Sequence, residues 1–348
     1  MGFEPEFFGC DGLDGLLTVE NFDTSLAEGV MLLTPFAADA QDELTKNFVT
    51  TYKEKYGDTP NQFAADAYDA VYAIKAAAEK AGAVSYTHLD VYKRQLVRHG
   101  FSTRMGGVST GVYSTMNFAF LKGDDPELVR ENYRRMAEAI GVDVDKMVLS
   151  WQTHTTNIRK VTEEDAGKGI IRERDYQDID GLITDVPGMT LVTFYADCVP
   201  LYFVDPVHRA IGLSHSGWRG TVARMGRVTL EAMNREYGSR PEDVIACIGP
   251  SICKDCYEVG EEVADEFRRS FAKEFWPELL LEKTNGKYML NLWRANEIVL
   301  LEAGVVPNHL QVTDICTHCN PEYLFSHRTM GSERGNLAAF LCLREPEA

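Results

Sequence analysis

Cys198 and His215 stand at the outer ends of two short apolar runs, residues 199–204 and 210–213, separated by an Asp205-Pro206 break. Runs of this length, rich in β-branched and aromatic residues and joined by turn chemistry, read as neighbouring strands of a buried sheet. No other feature limits the fold as much, because pairing the two runs brings the residue before the first and the residues just after the second to the same end. Cys198 and His215 can then project toward one point. A third candidate, His154 in Gln152-Thr153-His154, lies forty-four residues ahead of Cys198. Two imidazoles and a thiolate are a natural three-ligand set for Zn²⁺ with a fourth position free, and structural zinc sites usually close all four, so three ligands lean catalytic. Taken singly, these residues read as a buried Cys and two ordinary His. Together, beside turns rich in Gly, Asp and Trp, they read as a site.

The rest of the C-terminal three-quarters alternates between the two periodicities. Residues 101–109 read as a strand end running into a glycine turn. Asp125-Pro126 caps a helix through Ile140 that Gly141 terminates. Residues 191–195, 201–204, 210–214 and 244–248 are strand candidates, whereas 221–237 and 291–303 are helices closed by Gly238 and Gly304. Strands interleaved with helices predict an α+β fold, an α/β sandwich around a mixed β-sheet, with a mainly helical N-terminal fragment. No internal repeat or low-complexity tract is visible.

Charge and composition exclude some classes. A formal net charge of −18 over 348 residues disfavours a nucleic-acid partner, which would need a basic face. Anionic substrates stay open, since a local Arg cluster can dominate inside an acidic chain. No run approaches the length of apolar sequence a membrane span needs, and Met1-Gly2-Phe3-Glu4-Pro5-Glu6 lacks the basic and apolar regions of a signal peptide. Eight cysteines without an export signal are expected as reduced thiols in a cytoplasmic protein. A monomer is expected.

The segment from about His99 to Leu343 carries further motifs in order: His99-Gly-Phe-Ser-Thr-Arg-Met-Gly-Gly-Val-Ser109, Gly123-Asp-Asp125, Arg130-Glu-Asn132, Ala196-Asp-Cys-Val-Pro-Leu201, His215-Ser-Gly-Trp-Arg-Gly-Thr221, Ile248-Gly-Pro250, Cys256-Tyr-Glu-Val-Gly260 and Cys316-Thr317. With Gln152-Thr-His154 they resemble the laccase-domain proteins, once called multicopper polyphenol oxidases and now described as purine nucleoside phosphorylases. The resemblance implies that His154, Cys198 and His215 hold a catalytic zinc. It also implies phosphorolysis of adenosine, inosine, guanosine and methylthioadenosine, with adenosine deamination beside it, so that the partners are a purine nucleoside and phosphate. Copper fits less well, because the chain has eight His but none of the His-X-His pairs of multicopper oxidases. Two positions depart from the family pattern: Thr155 where a Gly is usual, and His327 where the aromatic-Ser-Tyr-Arg motif has Tyr.

Phosphorolysis needs a holder for phosphate, and the planar fork of Arg suits it. Arg104, beside Gly106 and Gly107, is the first candidate for catalytic and substrate contact. Arg219 is the second, equally readable as part of a helix cap. Glu258 and Cys316 are expected at the substrate because their motifs recur in the family. Strand alternation counts against Asp197 as a direct base and favours a role orienting a ligand His. The Cys253/Cys256 and Cys316/Cys319 pairs lie too far apart for a zinc ribbon and are expected as structural or incidental thiols. Two rival functions stay open. One is a peptidoglycan-precursor editing hydrolase with Cys198 as nucleophile and His215 as base; the other is copper-dependent phenol oxidation.

Residues 1–84 read as a separate piece. They hold fifteen acidic and five basic side chains, a balance of −10 within the total of −18. The Ala-rich stretch 63–81 is expected as a helix ending at Gly82. With residues 29–36 and 56–61 it resembles the C-terminal end of branched-chain amino-acid type periplasmic binding proteins, without the rest of that two-lobed fold. Residues 85–95 match neither flank and resemble a translated junction found in assembled environmental sequences. A natural fusion is the alternative, though the absence of Gly and Pro argues weakly against an evolved flexible linker. The expected organisation is a fragment at 1–84, a junction at 85–95 and the laccase-type domain at 96–348.

Overall fold

The computed structural model describes residues 8–9, 31–32, 43–57, 83–84 and 96–345. Its contacts divide the chain into two units, Met1–Ala76 and Ala77–Ala348. In the first unit, β1 (Phe8–Gly9) pairs in parallel with β2 (Met31–Leu32), and α1 spans Glu43–Tyr56. The helix expected at 63–81 and the junction at 85–95 lie outside the described residues.

The second unit opens with β3 (Ala83–Val84), antiparallel to β4 (Val97–Ser102). The expected helix follows as α2 (Pro126–Ile140). The Asp125 carboxylate accepts the Glu127 amide at 2.8 Å, and Gly141 ends the helix at φ 69°. Then come β5 (Met147–Leu149), β6 (Ile158–Lys160), β7 (Gly181–Thr184), β8 (Thr190–Tyr195), β9 (Val199–Asp205) and β10 (Ala210–Ser216). The predicted helix at 221–237 is two helices, α3 (Trp218–Val222) and α4 (Met225–Tyr237). Arg224 breaks them with φ 62°, where it pairs with Glu302 at 2.7 Å and covers the Phe271 ring. Sequence periodicity cannot show a break that a distant ion pair holds.

The chain continues through β11 (Ile245–Ile248), β12 (Glu258–Val259), α5 (Glu261–Ser270), α6 (Trp276–Leu279), β13 (Leu280–Glu282) and β14 (Tyr288–Leu290). It ends with α7 (Leu292–Glu302), β15 (Leu310–Val312), α8 (His327–Met330) and β16 (Leu337–Leu343). Two mixed sheets result, ordered β15-β11-β9-β10-β7-β6 and β3-β4-β16-β8-β5, with a small β12-β14-β13 sheet at the side.

Strand alternation sorts the core into three layers. On β16, Leu337, Ala339 and Leu341 meet Ile211 and Leu213 of β10 and Tyr202 and Val204 of β9 between the large sheets. Ala338 and Phe340 point the other way, onto Val129, Tyr133 and Met136 of α2. The outer face of the other sheet, Leu201, Phe203 and Ala246, packs on α4, α5 and α7. The expected sandwich is therefore two sheets face to face with helices outside both. Each buried Leu or Phe contributes about 2 kcal/mol from area removed from water. Among the described residues no helix is long and apolar enough to cross a membrane.

Candidate metal centre

The β9–β10 hairpin does what its sequence implies. In its register His215 lies opposite Pro200, and opposed residues in an antiparallel pair share a face. Cys198, two residues before Pro200, falls on that same inter-sheet face at the open end. His154 arrives from the loop between β5 and β6, and the ligand atoms of His154, Cys198 and His215 all lie within 4.8 Å of one another. Cys198 Sγ is 3.9 Å from His154 Nε2, and the two imidazoles meet edge to face with centroids 4.9 Å apart. Gly217 makes room, since a Cβ there would sit 3.0 Å from both Cys198 Sγ and His154 Cδ2.

Asp180 holds the group together. It is fully buried at the entry to β7, and its Oδ1 is 2.8 Å from His215 Nδ1. The same carboxylate accepts the backbone amides of Thr153, His154 and Thr155, each at 3.0 Å, and the Thr155 hydroxyl at 3.0 Å. Those bonds hold His154 in the left-handed region at φ 65°. The Thr that departs from the family pattern therefore adds a bond to the carboxylate. Gln152 fixes the loop from the other side: its Nε2 donates to the Phe194 carbonyl at 2.8 Å, and its Oε1 accepts the Phe194 amide at 2.6 Å.

The orienting role expected of Asp197 thus belongs to Asp180. Asp197 instead accepts the Thr317 hydroxyl at 2.6 Å and the Arg328 amide at 2.7 Å, with its own φ at 89°. Asp180 sits in Asp178-Ile-Asp180-Gly181, just before an apolar strand. An acid at the mouth of a strand that pairs with the His215 strand was the available signal.

The electrostatics favour a thiolate. Burial alone would push the Cys198 thiol up, but the charge of His215 and hydrogen bonding from both His residues outweigh it and bring it down to about 6. Burial alone would lower His215, but the Cys198 charge and Asp180 raise it to about 9. Asp180 itself is brought down to about 2, because His215 and the loop amides outweigh its burial.

His154, Cys198 and His215 open into a cavity of about 650 Å³. Phe120, Trp151, Trp218 and Tyr257 give it aromatic walls, and Arg174, Arg219, Arg328 and Arg334 are its guanidinium groups. Of the other expected site residues, only Arg219 lines it, stacked on the Trp218 ring at 4.3 Å. Arg104 is placed elsewhere: its guanidinium donates to the Ser114 carbonyl at 3.0 Å and the Pro321 carbonyl at 2.9 Å, and stacks on Phe325. Two of its donors thus tie backbone carbonyls of separate loops together, and it does not line the cavity. Glu258 turns its carboxylate to Lys283 and Lys287, and only its carbonyl reaches toward the cavity, accepting Arg328 at 2.8 Å. Cys316 joins Cys253, Cys256 and Cys319 in a second cluster. His327 does line the cavity, with Nδ1 2.9 Å from the Gly331 carbonyl. Arg334 went unnoticed in the sequence; it is nearly buried, and its Nε has no partner among the described residues.

The donors suit a tetrahedral metal ion. Bonds of about 2.0–2.3 Å place neighbouring ligand atoms roughly 3.3–3.8 Å apart. With ligand atoms all within 4.8 Å, the separations need to close by about 1.5 Å at most. A carboxylate behind a ligand His is the support such sites require.

This sandwich is shared with known proteins. The family described as multi-copper polyphenol oxidoreductase laccase matches residues 98–344, and the chain belongs to that family. A periplasmic binding protein model matches residues 16–96. Among curated relatives, the purine nucleoside phosphorylase YlmD of Geobacillus stearothermophilus is 38% identical over 251 residues, which is 71% of this chain and 90% of that protein. The adenosine deaminase RL5, from an unknown prokaryotic organism, is 33% identical over 237 residues, covering 68% of this chain and 90% of RL5. The crystal structure of Geobacillus stearothermophilus YlmD superposes with a TM-score of 0.67 at 36% identity, over 72% of this chain and 92% of that one. The hypothetical protein YfiH of Bacillus licheniformis gives a TM-score of 0.69 at 33% identity, over 71% of this chain and 93% of its own.

Proposed function

We propose that residues 96–348 form a zinc-dependent purine nucleoside phosphorylase with adenosine deaminase activity, and that the segment before them takes no part in catalysis. The observation that carries the reading is the convergence of His154, Cys198 and His215 on one point, braced by Asp180, at the wall of a cavity lined by arginines and aromatic rings. Names borne by relatives over most of the chain's length support the substrate class.

Bound by these three residues, a zinc ion would supply Lewis-acid polarisation of a substrate oxygen and lower the pKa of a bound water. The protein's own groups do the rest. The aromatic walls receive a purine face to face, and the buried base leaves water. Arg219, Arg328 and Arg334, all in the cavity lining, offer planar forks for phosphate. Asp180 keeps His215 Nδ1 paired, so that Nε2 is directed to the ligand position. Arg104 acts through the loops it braces.

The test is direct. Purified protein loaded with zinc and given inosine and phosphate should release hypoxanthine and ribose 1-phosphate, and given adenosine alone should release inosine. His154→Ala should abolish both. No turnover by the loaded wild type would overturn the reading.

A second reading has its own observation: Asp180, His215 and Cys198 also stand in the order of a thiol hydrolase, with acid, base and nucleophile. It predicts that a peptidoglycan-derived amide is cleaved by metal-free protein through an acyl-enzyme, and chelation separates the two.

A further inference from the structure

Two Cys-X-X-Cys turns that are distant in sequence meet in space. β11 and β15 pair in parallel with Ile248 opposite Val312, and just beyond them Ser251 bridges to Cys316. Adjacent parallel strands therefore deliver Cys253 and Cys256 from one turn, and Cys316 and Cys319 from the other, to the same end of the sheet. The intervening helices and small sheet account for the long sequence gap that argued against a zinc ribbon. All four sulfur atoms lie within 4.8 Å of one another. Cys256 Sγ is 3.4 Å from Cys319 Sγ, and Cys253 Sγ is 4.0 Å from Cys319 Sγ. A tetrahedral tetrathiolate with bonds of about 2.3 Å has sulfur–sulfur edges of roughly 3.8 Å, which these two values bracket.

A second observation comes from the amides. Cys316 Sγ accepts the backbone N–H of Cys319 at 3.4 Å and of Cys253 at 3.3 Å. Backbone donors aimed at sulfur stabilise a thiolate and fix its direction, which is what a metal ligand needs and a packed thiol does not. Cys316 is buried while Cys319 is exposed, so an ion has a path in from solvent.

We propose that Cys253, Cys256, Cys316 and Cys319 form a second, structural site that binds Zn²⁺ as a tetrathiolate and staples one wall of the active-site cavity. The wall follows from the neighbours of the cysteines. Ile252 donates its amide to the Asp197 carbonyl at 3.0 Å, and Thr317 donates its hydroxyl to the Asp197 carboxylate. Both turns thus grip the residue next to Cys198. Tyr257, which follows Cys256, lines the cavity. All four positions are closed by protein, so the ion has no place for substrate and acts by holding the turns together.

The test uses the full chain, loaded with Zn²⁺ under reductant, desalted and assayed for metal by mass spectrometry. The wild type should carry two zinc ions, and the His154→Ala/Cys198→Ser variant one. Loaded with Co²⁺ instead, that variant should show the strong sulfur-to-metal charge transfer and visible bands of a tetrahedral tetrathiolate. Adding the exposed Cys319→Ser should remove the retained ion or weaken its binding at least tenfold in a chelator competition. No metal in the His154→Ala/Cys198→Ser variant, or a cobalt spectrum without thiolate charge transfer, would overturn the site. Iron retained in place of zinc, or a Cys256–Cys319 disulfide that persists under reductant, would overturn the zinc assignment.

Discussion

Asp180 commits both carboxylate oxygens, one to His215 and His154 and the other to Thr153 and Thr155. Asp180→Asn keeps the shape but replaces an oxygen with a donor that cannot accept an amide N–H. Zinc affinity is expected to fall about 10- to 100-fold, the usual effect of losing such a partner, as read by chelator competition. Asp165, outside the cavity lining, makes a comparable cluster, with Lys168 at 2.8 Å and Arg159 at 2.7 Å. Burial alone would raise its carboxyl, but the Lys168 hydrogen bond, the Thr162 amide and Arg159 outweigh it and bring it down to about 2. A depressed folded-state pKa means stability that is complete above the unfolded value of about 4 and lost as pH falls toward 2. Denaturant melts between pH 6 and 2 should therefore show Asp165→Asn with a shallower acid-side loss than the wild type. Residue identity alone exposed His154, Cys198 and His215, because few other roles bring two imidazoles and a thiol to such turns. For Asp180 the sequence offered only its place at the mouth of a strand, since its value lies in four partners that only folding assembles.

At the scale of elements, local chemistry was readable where the cap or terminator is itself local. Asp125, Pro126 and Gly141 bound α2, and Asn291, whose side chain accepts the Arg294 amide at 3.1 Å, starts α7. Asp125→Ala is expected to cost about 1 kcal/mol by leaving the Glu127 amide without its acceptor, measured by chemical denaturation, with activity unchanged. The break at Arg224 was not readable, because its left-handed backbone is held by Glu302 and by the Ser270 carbonyl from other helices. The same limit applied to Arg104. Its loop looks like an anion cradle, and only the folded chain shows the Pro321 and Ser114 carbonyls taking two of its donors and the side chain lying outside the cavity lining.

At the scale of the whole molecule, contacts fall into units at Met1–Ala76 and Ala77–Ala348, and the two family matches meet near residue 97. The second unit holds both large sheets and both cysteine-bearing clusters. A chain beginning at Ala77 is therefore expected to fold, to bind as much metal as the full chain and to keep its turnover within about twofold, since no catalytic group would be removed. Loss of metal binding on that truncation would show that the N-terminal segment is required. The amino-acid sequence by itself determined the alternation of strand and helix, the hairpin that joins Cys198 to His215, and which three side chains, His154, Cys198 and His215, are candidates to converge, because each is encoded over a few residues or one turn. Tertiary structure decided which carboxylate orients the ligands, which arginines face the cavity, and that four cysteines from two distant turns share one point. Those depend on strand register and sheet order, which place side chains dozens of residues apart within a few ångströms and which no local pattern records.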